Sequence, residues 1–167
     1  MDSMYMIIVG IMMTLAITGL VVGVANDAVN FLNSALGSKV APRYVIMTVA
    51  SVGIIVGAIT SSGMMEVARS GVFHPEMFSF SEVMMLFLAV MFMNVILLDV
   101  FNTLGMPTST TVSLVFGLLG AAVSVSVYKI THSDLHTMAD LATYINTGKA
   151  MAIISGILLS VAIAFVC

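Results

Sequence analysis

The chain has 167 residues, of which 60% are hydrophobic and only 8% are charged, and its formal net charge is −3. A soluble domain carries charges on about 25% of its residues, so this chain cannot cover a globular surface with water-compatible groups. The composition therefore predicts an integral membrane protein with several spans. The small net charge gives no indication of a nucleic-acid partner.

Five hydrophobic stretches are predicted to cross the membrane as α-helices, each near the length of about 20 residues that a span needs. In chain order they are Met4–Val24, Tyr44–Ser61, Val83–Phe101, Thr111–Tyr128 and Ala150–Val166. The N-terminus has no basic segment and no small-residue cleavage site, which favours a retained helix over a signal peptide. Lys39 and Arg43 predict that the first connection is cytoplasmic and that the N-terminus lies outside.

The first polar cluster follows the first hydrophobic stretch and contains Asn26, Asp27 and Asn30 within about one helical turn. An acid at the centre of a transmembrane helix costs about 2.5–3.5 kcal/mol and indicates function by default. The apolar residues that follow favour a broken or re-entrant segment over residues 26–38, rather than a helix that simply ends at the surface. Carboxylate and amide oxygens bind hard cations, so the cluster predicts a cation site.

The second polar cluster is G-M-P-T-S-T-T-V-S, which runs from Gly105 to Ser113. Gly105 permits a break, Pro107 suits the first turn of a helix, and residues 108–111 are four cap-type hydroxyl residues. The free N–H groups and positive dipole of such a helix start can bind an anion. An ordinary capped helix fits these residues equally well. Asp99 and Asn102, just before the cluster, either join the site or mark the end of the third span.

A cation-type cluster and an anion-type cluster in different spans are the pair that ion-coupled carriers use. An intramembrane hydrolase would need a nucleophile and base, or a metal set, within the spans. His74, His132 and His136 all lie outside the predicted spans, so we expect neither enzymatic activity nor a cofactor. His132, His136 and Asp140 could share a helix face, but they lie in the most polar connection, where water satisfies them. A non-transporting assembly subunit is the alternative, although it would not need paired polar clusters.

These two clusters resemble the signatures of the sodium-coupled inorganic phosphate transporter (PiT) family. V-A-N-D-A-V-N-F-L-N-S-A-L-G-S, from Val24 to Ser38, is similar to the family's G-A-N-D-V-A-N-x-F-x-[TS]-x-x-G-S. G-M-P-T-S-T-T-V, from Gly105 to Val112, is similar to its G-x-P-V-S-T-T-H. Val24 replaces the leading glycine of the first signature and Val112 replaces the histidine of the second.

The resemblance implies two inverted repeats that bind phosphate and sodium between them. By position, the implied sodium ligands are Asn26, Asp27, Asn30 and Ser38, and the implied phosphate ligands are Asn30, Ser34, Ser109, Thr110 and Thr111. The chain carries one Asn-Asp motif, so we expect residues 1–167 to be one transmembrane domain, the N-terminal half of a longer carrier. Its partner would be a second repeat or a second copy.

The expected function is inward symport of inorganic phosphate with sodium across the plasma (inner) membrane, with sodium as the coupling ion. Two alternatives within transport stay open. One is a related anion such as sulfate, and the other is coupling to protons instead of sodium.

Overall fold

The computed structural model describes residues 2–61, 66, 71–132 and 140–167. The helices are α1 (Asp2–Gly37), α2 (Arg43–Thr60), α3 (Phe80–Thr103), α4 (Thr110–Thr131), the one-turn α5 (Leu141–Tyr144) and α6 (Thr147–Val166). All but α5 contain a stretch long and apolar enough to cross a membrane. The prediction of an all-α chain with five spans is confirmed. In the described part of the chain, β-structure is limited to one bridge between Phe73 and Ile145.

The first helix continues through the first polar cluster, so the break predicted over residues 26–38 is wrong. The segment from Val24 to Leu36 contains neither glycine nor proline, and nothing in it interrupts the helical hydrogen bonds. With 1.5 Å of rise per residue, the 36 residues of α1 extend over roughly 54 Å. The hydrocarbon core is about 30 Å thick, so α1 is long enough to cross it and to extend beyond it.

α3 and α4 form an antiparallel hairpin that is the best-packed part of the described chain. Glu82 near the start of α3 contacts Lys129 near the end of α4, and Val90 lies beside Gly117. A Cβ atom on Gly117 would lie 3.4 Å from Val90 Cγ1, so the missing side chain lets the two helices approach closely. α1 packs along α3 in the same way at Gly19, whose Cβ would lie 3.4 Å from a methyl group of Val95. These three helices hold both polar clusters.

The end of the hairpin opposite the polar clusters is covered by two short segments, residues 71–79 and 140–146, which we call the cap. Backbone hydrogen bonds join the segments, from His74 N to Tyr144 O (2.9 Å) and from Asn146 N to Val72 O (3.1 Å). Phe73 is buried between them and packs edge-on against Phe78. The cap therefore fixes that end of α3 and α4.

α2 and α6 lie outside this core and are mostly exposed. Among their described residues, α2 buries only Ile46 and α6 buries only Ala150. Large apolar side chains such as Ile59 and Leu158 remain exposed over most of their surface. Apolar surface of this extent needs a lipid or protein environment, as the composition predicts.

Candidate functional site

The link between α3 and α4 turns sharply at Gly105. This residue has a φ of +67°, in the left-handed region that a residue with a Cβ atom adopts only at a cost. Met106 N donates to Phe101 O (2.9 Å), and Gly105 N donates to Asn102 O (3.1 Å), which closes the end of α3. The break predicted at Gly105 is therefore confirmed. Pro107 lies in the link before α4 and not in its first turn, so that part of the prediction is wrong.

α4 begins with a hydroxyl cap. The Ser109 side chain accepts a hydrogen bond from Val112 N (3.3 Å). Helix geometry leaves the N–H groups of Thr110 and Thr111 without intrahelical acceptors, and they carry the positive end of the helix dipole. One hydroxyl satisfies the cap, so the cap does not use the hydroxyls of Thr110 and Thr111.

The two polar clusters meet at an open cavity of about 480 Å³. Asp27 and Asn30 on α1 line one wall, and residues 107–111 line the other. Thr110 Oγ1 donates to the Asp27 carboxylate, with distances of 3.4 Å to Oδ1 and 3.5 Å to Oδ2. The structure thus brings together five of the predicted site residues: Asp27, Asn30, Ser109, Thr110 and Thr111.

The charge in this cavity is unbalanced. Among the described residues that line it, Asp27 is the one acid, and none is a lysine or an arginine. An anion at the start of α4 would gain from the helix dipole and the threonine groups, but it would face the carboxylate across the cavity. A cation beside Asp27 removes that repulsion, so the two charges favour binding together.

Asn26 faces α3 and makes a chain of side-chain contacts. Its Nδ2 donates to Asn102 Oδ1 (2.9 Å), and Asn102 Nδ2 donates to the Val22 carbonyl (3.1 Å). Because a carbonyl can only accept, the Val22 contact fixes the orientation of both amides. The Asn26 side chain is 2% exposed, and its Oδ1 has no hydrogen-bond partner among the described residues.

Asn26 Oδ1 is a buried acceptor of the kind that a hard cation takes as a ligand. Asn26 and Asn102 line a second, small cavity of about 60 Å³. Pro107 lines both this cavity and the larger one, so the two are neighbours. Asn102 thus contacts Asn26 and lines a cavity next to the larger one, and its predicted place in the site stays a prediction.

The structure does not bring the remaining predicted residues to the cavity. Ser34 and Ser38 are exposed and line neither cavity. Ser38 follows Asp27 by eleven residues, which is roughly 16 Å along a helix, because each residue rises 1.5 Å. Asp99 is exposed near the end of α3 and is also absent from both linings.

Sequence reasoning missed one polar contact inside the α3–α4 hairpin. Ser113 Oγ, which is buried, donates to Asn94 Oδ1 at 2.7 Å. Asn94 is the one amide in the third predicted span, Val83–Phe101. A single amide in so apolar a stretch indicates a polar partner on another helix, and this was the signal that could have predicted the contact. The bond ties the first turn of α4 to α3 and so helps to fix the anion-type wall of the cavity.

A model of the phosphate transporter family matches residues 23–167, a range that includes both polar clusters. The chain belongs to the phosphate transporter family. No curated protein and no solved structure matches it. Membership of the phosphate transporter family, together with the five apolar helices, identifies a multi-pass membrane protein of phosphate transport.

The family assignment agrees with the polar chemistry of the cavity, which lies within the matched range. Within residues 2–61, 66, 71–132 and 140–167, no three histidine, cysteine, aspartate or glutamate side chains cluster as metal ligands. Of the three residues at helical spacing in the polar connection, His136 lies outside the described residues. His132 caps the end of α4, at the other end of that helix from the cavity.

Proposed function

We propose that the protein carries inorganic phosphate inward together with sodium, and that both ions bind where α1 meets the start of α4. One observation carries the proposal: a carboxylate and a helix start face one cavity, and none of the described residues that line it is basic. Such a site binds an anion well only when a cation accompanies it.

The proposed phosphate ligands are the N–H groups and hydroxyls of Ser109, Thr110 and Thr111, with Asn30 on the facing wall. Phosphate is tetrahedral and presents oxygens in several directions, which suits donors from two walls. The dipole of α4 adds a favourable term, and helix starts bind phosphate in unrelated proteins for this reason.

The proposed sodium ligands are the Asp27 carboxylate and Asn26 Oδ1, with Asn30 shared between the two ions. Asp27 supplies the charge, and Asn26 supplies the buried oxygen that the described residues leave without a donor. When sodium is bound, Thr110 no longer needs to donate to Asp27, so its hydroxyl can turn to the phosphate.

The cavity is open, so a second wall has to enclose the ions during transport. A second inverted repeat, or a second copy of the chain, is the proposed partner, and movement between the two halves would alternate access to the site. We place the carrier in the plasma (inner) membrane.

Two variations of this function depend on the same site. A proton on Asp27 would also remove its negative charge, so the coupling ion could be H⁺ in place of Na⁺. Sulfate is also tetrahedral and could occupy the same donors. A transporter should lose phosphate uptake when the donors of this site are substituted. A non-transporting subunit should show no such effect, which separates the two functions.

The test is uptake of labelled phosphate by proteoliposomes that contain the full-length carrier. We expect uptake to need an inward sodium gradient, to stop when choline replaces sodium, and to resist competition by excess sulfate. Uptake that continues in choline and follows an imposed pH gradient would assign the coupling to protons. Equal competition by sulfate would contradict phosphate selectivity, and absence of any uptake would favour the non-transporting subunit.

A further inference from the structure

An apolar groove of about 510 Å³ runs between the end of α1 and the first three turns of α2. Phe31, Leu32 and Ala35 on α1 and Ile46, Ala50 and Gly53 on α2 are among its lining residues. Its surface is almost entirely apolar, and a Cβ atom on Gly53 would meet nothing within 4 Å. The groove is therefore an open space whose α2 wall lies within a stretch apolar enough to cross a membrane.

Two basic residues lie next to this groove in the sequence. Lys39 and Arg43, which flank the lining residue Ala41, are the only charged residues between Asp27 and Glu66 in the sequence. The segment therefore has a local charge of +2 in a chain whose net charge is −3. Both residues are exposed, at the point where α1 ends and α2 begins.

The position of Arg43 connects the charge to the groove. Arg43 precedes Ile46 by three residues and Ala50 by seven, so the three share one face of α2. Arg43 also begins the stretch that is apolar enough to span a membrane, so it lies where lipid headgroups are expected. A phosphate group near Arg43 would place an attached acyl chain along the groove.

We propose that this groove is a binding site for an anionic phospholipid, with its headgroup phosphate on Lys39 and Arg43 and one acyl chain between α1 and α2. Basic pockets beside transmembrane helices bind anionic headgroups in this way. Two basic residues beside an apolar channel favour an anionic lipid, because one such molecule supplies both a negative headgroup and an apolar chain. The site is separate from the ion cavity, since the two linings share no residue.

The test is native mass spectrometry of the purified full-length carrier with phosphatidylglycerol or phosphatidylcholine of identical acyl chains. We expect one phosphatidylglycerol to be retained per chain in preference to phosphatidylcholine. Lys39→Gln and Arg43→Gln should each weaken that preference by about fivefold, the effect expected for one juxtamembrane charge. Lys149→Gln removes an exposed charge elsewhere and should leave it unchanged.

A second variant pair tests the groove itself. Ala50→Phe fills it and should displace phosphatidylglycerol, whereas Ala58→Phe adds the same ring to an exposed position of α2 that does not line the groove. Equal retention of the two lipids, or wild-type retention in the Lys39→Gln/Arg43→Gln double variant, would overturn the proposal.

Protein occupancy of the groove is tested with a cysteine at Gly53 in a Cys167→Ser background. Efficient cross-linking of that cysteine to a second chain or to another segment, with no lipid preference, would assign the groove to a protein contact and would also overturn the proposal. Lipid retention is measured in the absence of phosphate and sodium, so its outcome does not depend on whether the carrier binds these ions.

Discussion

Thr110 Oγ1 on α4 lies 3.4 Å from Asp27 Oδ1 on α1, so the carboxylate of one polar cluster contacts the helix start of the other. In this arrangement the carboxylate faces the same positive helix end that a bound anion would use. Asp27 and a phosphate therefore compete for one electrostatic partner. A sodium ion at Asp27 ends the competition, which makes the contact between these two residues the physical basis of the proposed coupling.

Asp27→Asn tests this coupling directly. The amide keeps the size of the side chain but removes its charge, so we expect uptake to lose its sodium dependence, with a fall in sodium-driven uptake of at least about tenfold. Phosphate binding to the purified carrier should become independent of sodium. The measurement is labelled phosphate uptake and binding over a range of sodium concentrations.

Asp99→Asn is the matched control, because Asp99 is exposed and lines neither cavity. It should keep wild-type sodium dependence. The assigned role of Asp27 is refuted if Asp27→Asn transports with unchanged sodium dependence at wild-type expression.

Thr110→Val removes the hydroxyl that contacts Asp27 and keeps the shape of the side chain. In the proposed loaded state this hydroxyl donates to phosphate, and a hydrogen bond to a charged group contributes about 1.5–3 kcal/mol, so we expect the apparent affinity for phosphate to fall by at least about tenfold. Thr110→Ser retains the hydroxyl, and its apparent affinity for phosphate should stay within about threefold of wild type. Equal behaviour of the valine and serine variants would show that the hydroxyl has no role.

The sequence predicted the backbone break at the second polar cluster correctly, but not the backbone at the first, where α1 continues as a helix. The spans, the break at Gly105 and the cap-type residues before α4 all follow from local chemistry. Asn26 and Asp27 look like a break because polar groups are costly in lipid, yet the segment lacks the glycine or proline that would interrupt a helix. Their cost is instead offset by contacts with α3 and α4.

The sequence predicted that the two polar clusters pair, but not which individual side chains from distant parts of the chain make contact. The hydrogen bond between Asn26 and Asn102 joins residues 76 positions apart, and nothing in either local pattern indicates the other. The same holds for Asn94 and Ser113, which meet only because α3 and α4 pack antiparallel. Ser34 and Ser38 are assigned by a motif position alone, and an intact α1 carries them away from Asp27, so their predicted roles stay predictions.

Asn102→Leu tests the amide chain. It removes the acceptor of the Asn26 side-chain amide, and a buried polar group that loses its hydrogen bond costs about 1–3 kcal/mol. We expect a lower unfolding temperature and weaker sodium affinity, measured by thermal denaturation and by sodium-dependent phosphate binding. Asn33→Leu changes an exposed amide of α1 and is the control. Wild-type stability and sodium affinity in Asn102→Leu would argue against a positioning role.

Gly105→Ala isolates a conformational cost, because the new Cβ atom would meet nothing within 4 Å while φ stays at +67°. Holding a residue with a Cβ atom in the left-handed region costs roughly 1–2 kcal/mol. We expect a lower unfolding temperature for Gly105→Ala and a smaller decrease for Gly105→Asn, since asparagine tolerates this region better. Gly120→Ala, in open space within α4, should be neutral or slightly stabilising. Equal effects of alanine at both positions would refute the assigned strain.

Lys129→Met tests the cap at the far end of the hairpin. Lys129 Nζ donates to Met77 O (3.0 Å) and to Glu82 Oε2 (3.1 Å), and lies 5.5 Å from the centre of the Phe78 ring. Glu82 also accepts from Ser79 N at the start of α3, so one lysine joins the end of α4 to residues 71–79 and to the start of α3. Because the methionine side chain keeps the apolar contacts but loses the donors, we expect a loss of about 1–3 kcal/mol of unfolding free energy.

The matched control for the cap is Lys149→Met, which removes an exposed lysine. A double-mutant cycle between Lys129→Met and Glu82→Gln should give a coupling energy near 1 kcal/mol, since both side chains are about 30% exposed and solvent screens the pair. Lys129 lies at the end of α4 opposite the ion cavity, so folded Lys129→Met should keep wild-type sodium affinity. Additive effects in the cycle would show that the pair contributes nothing, and a change in sodium affinity at full stability would connect the cap to the ion site.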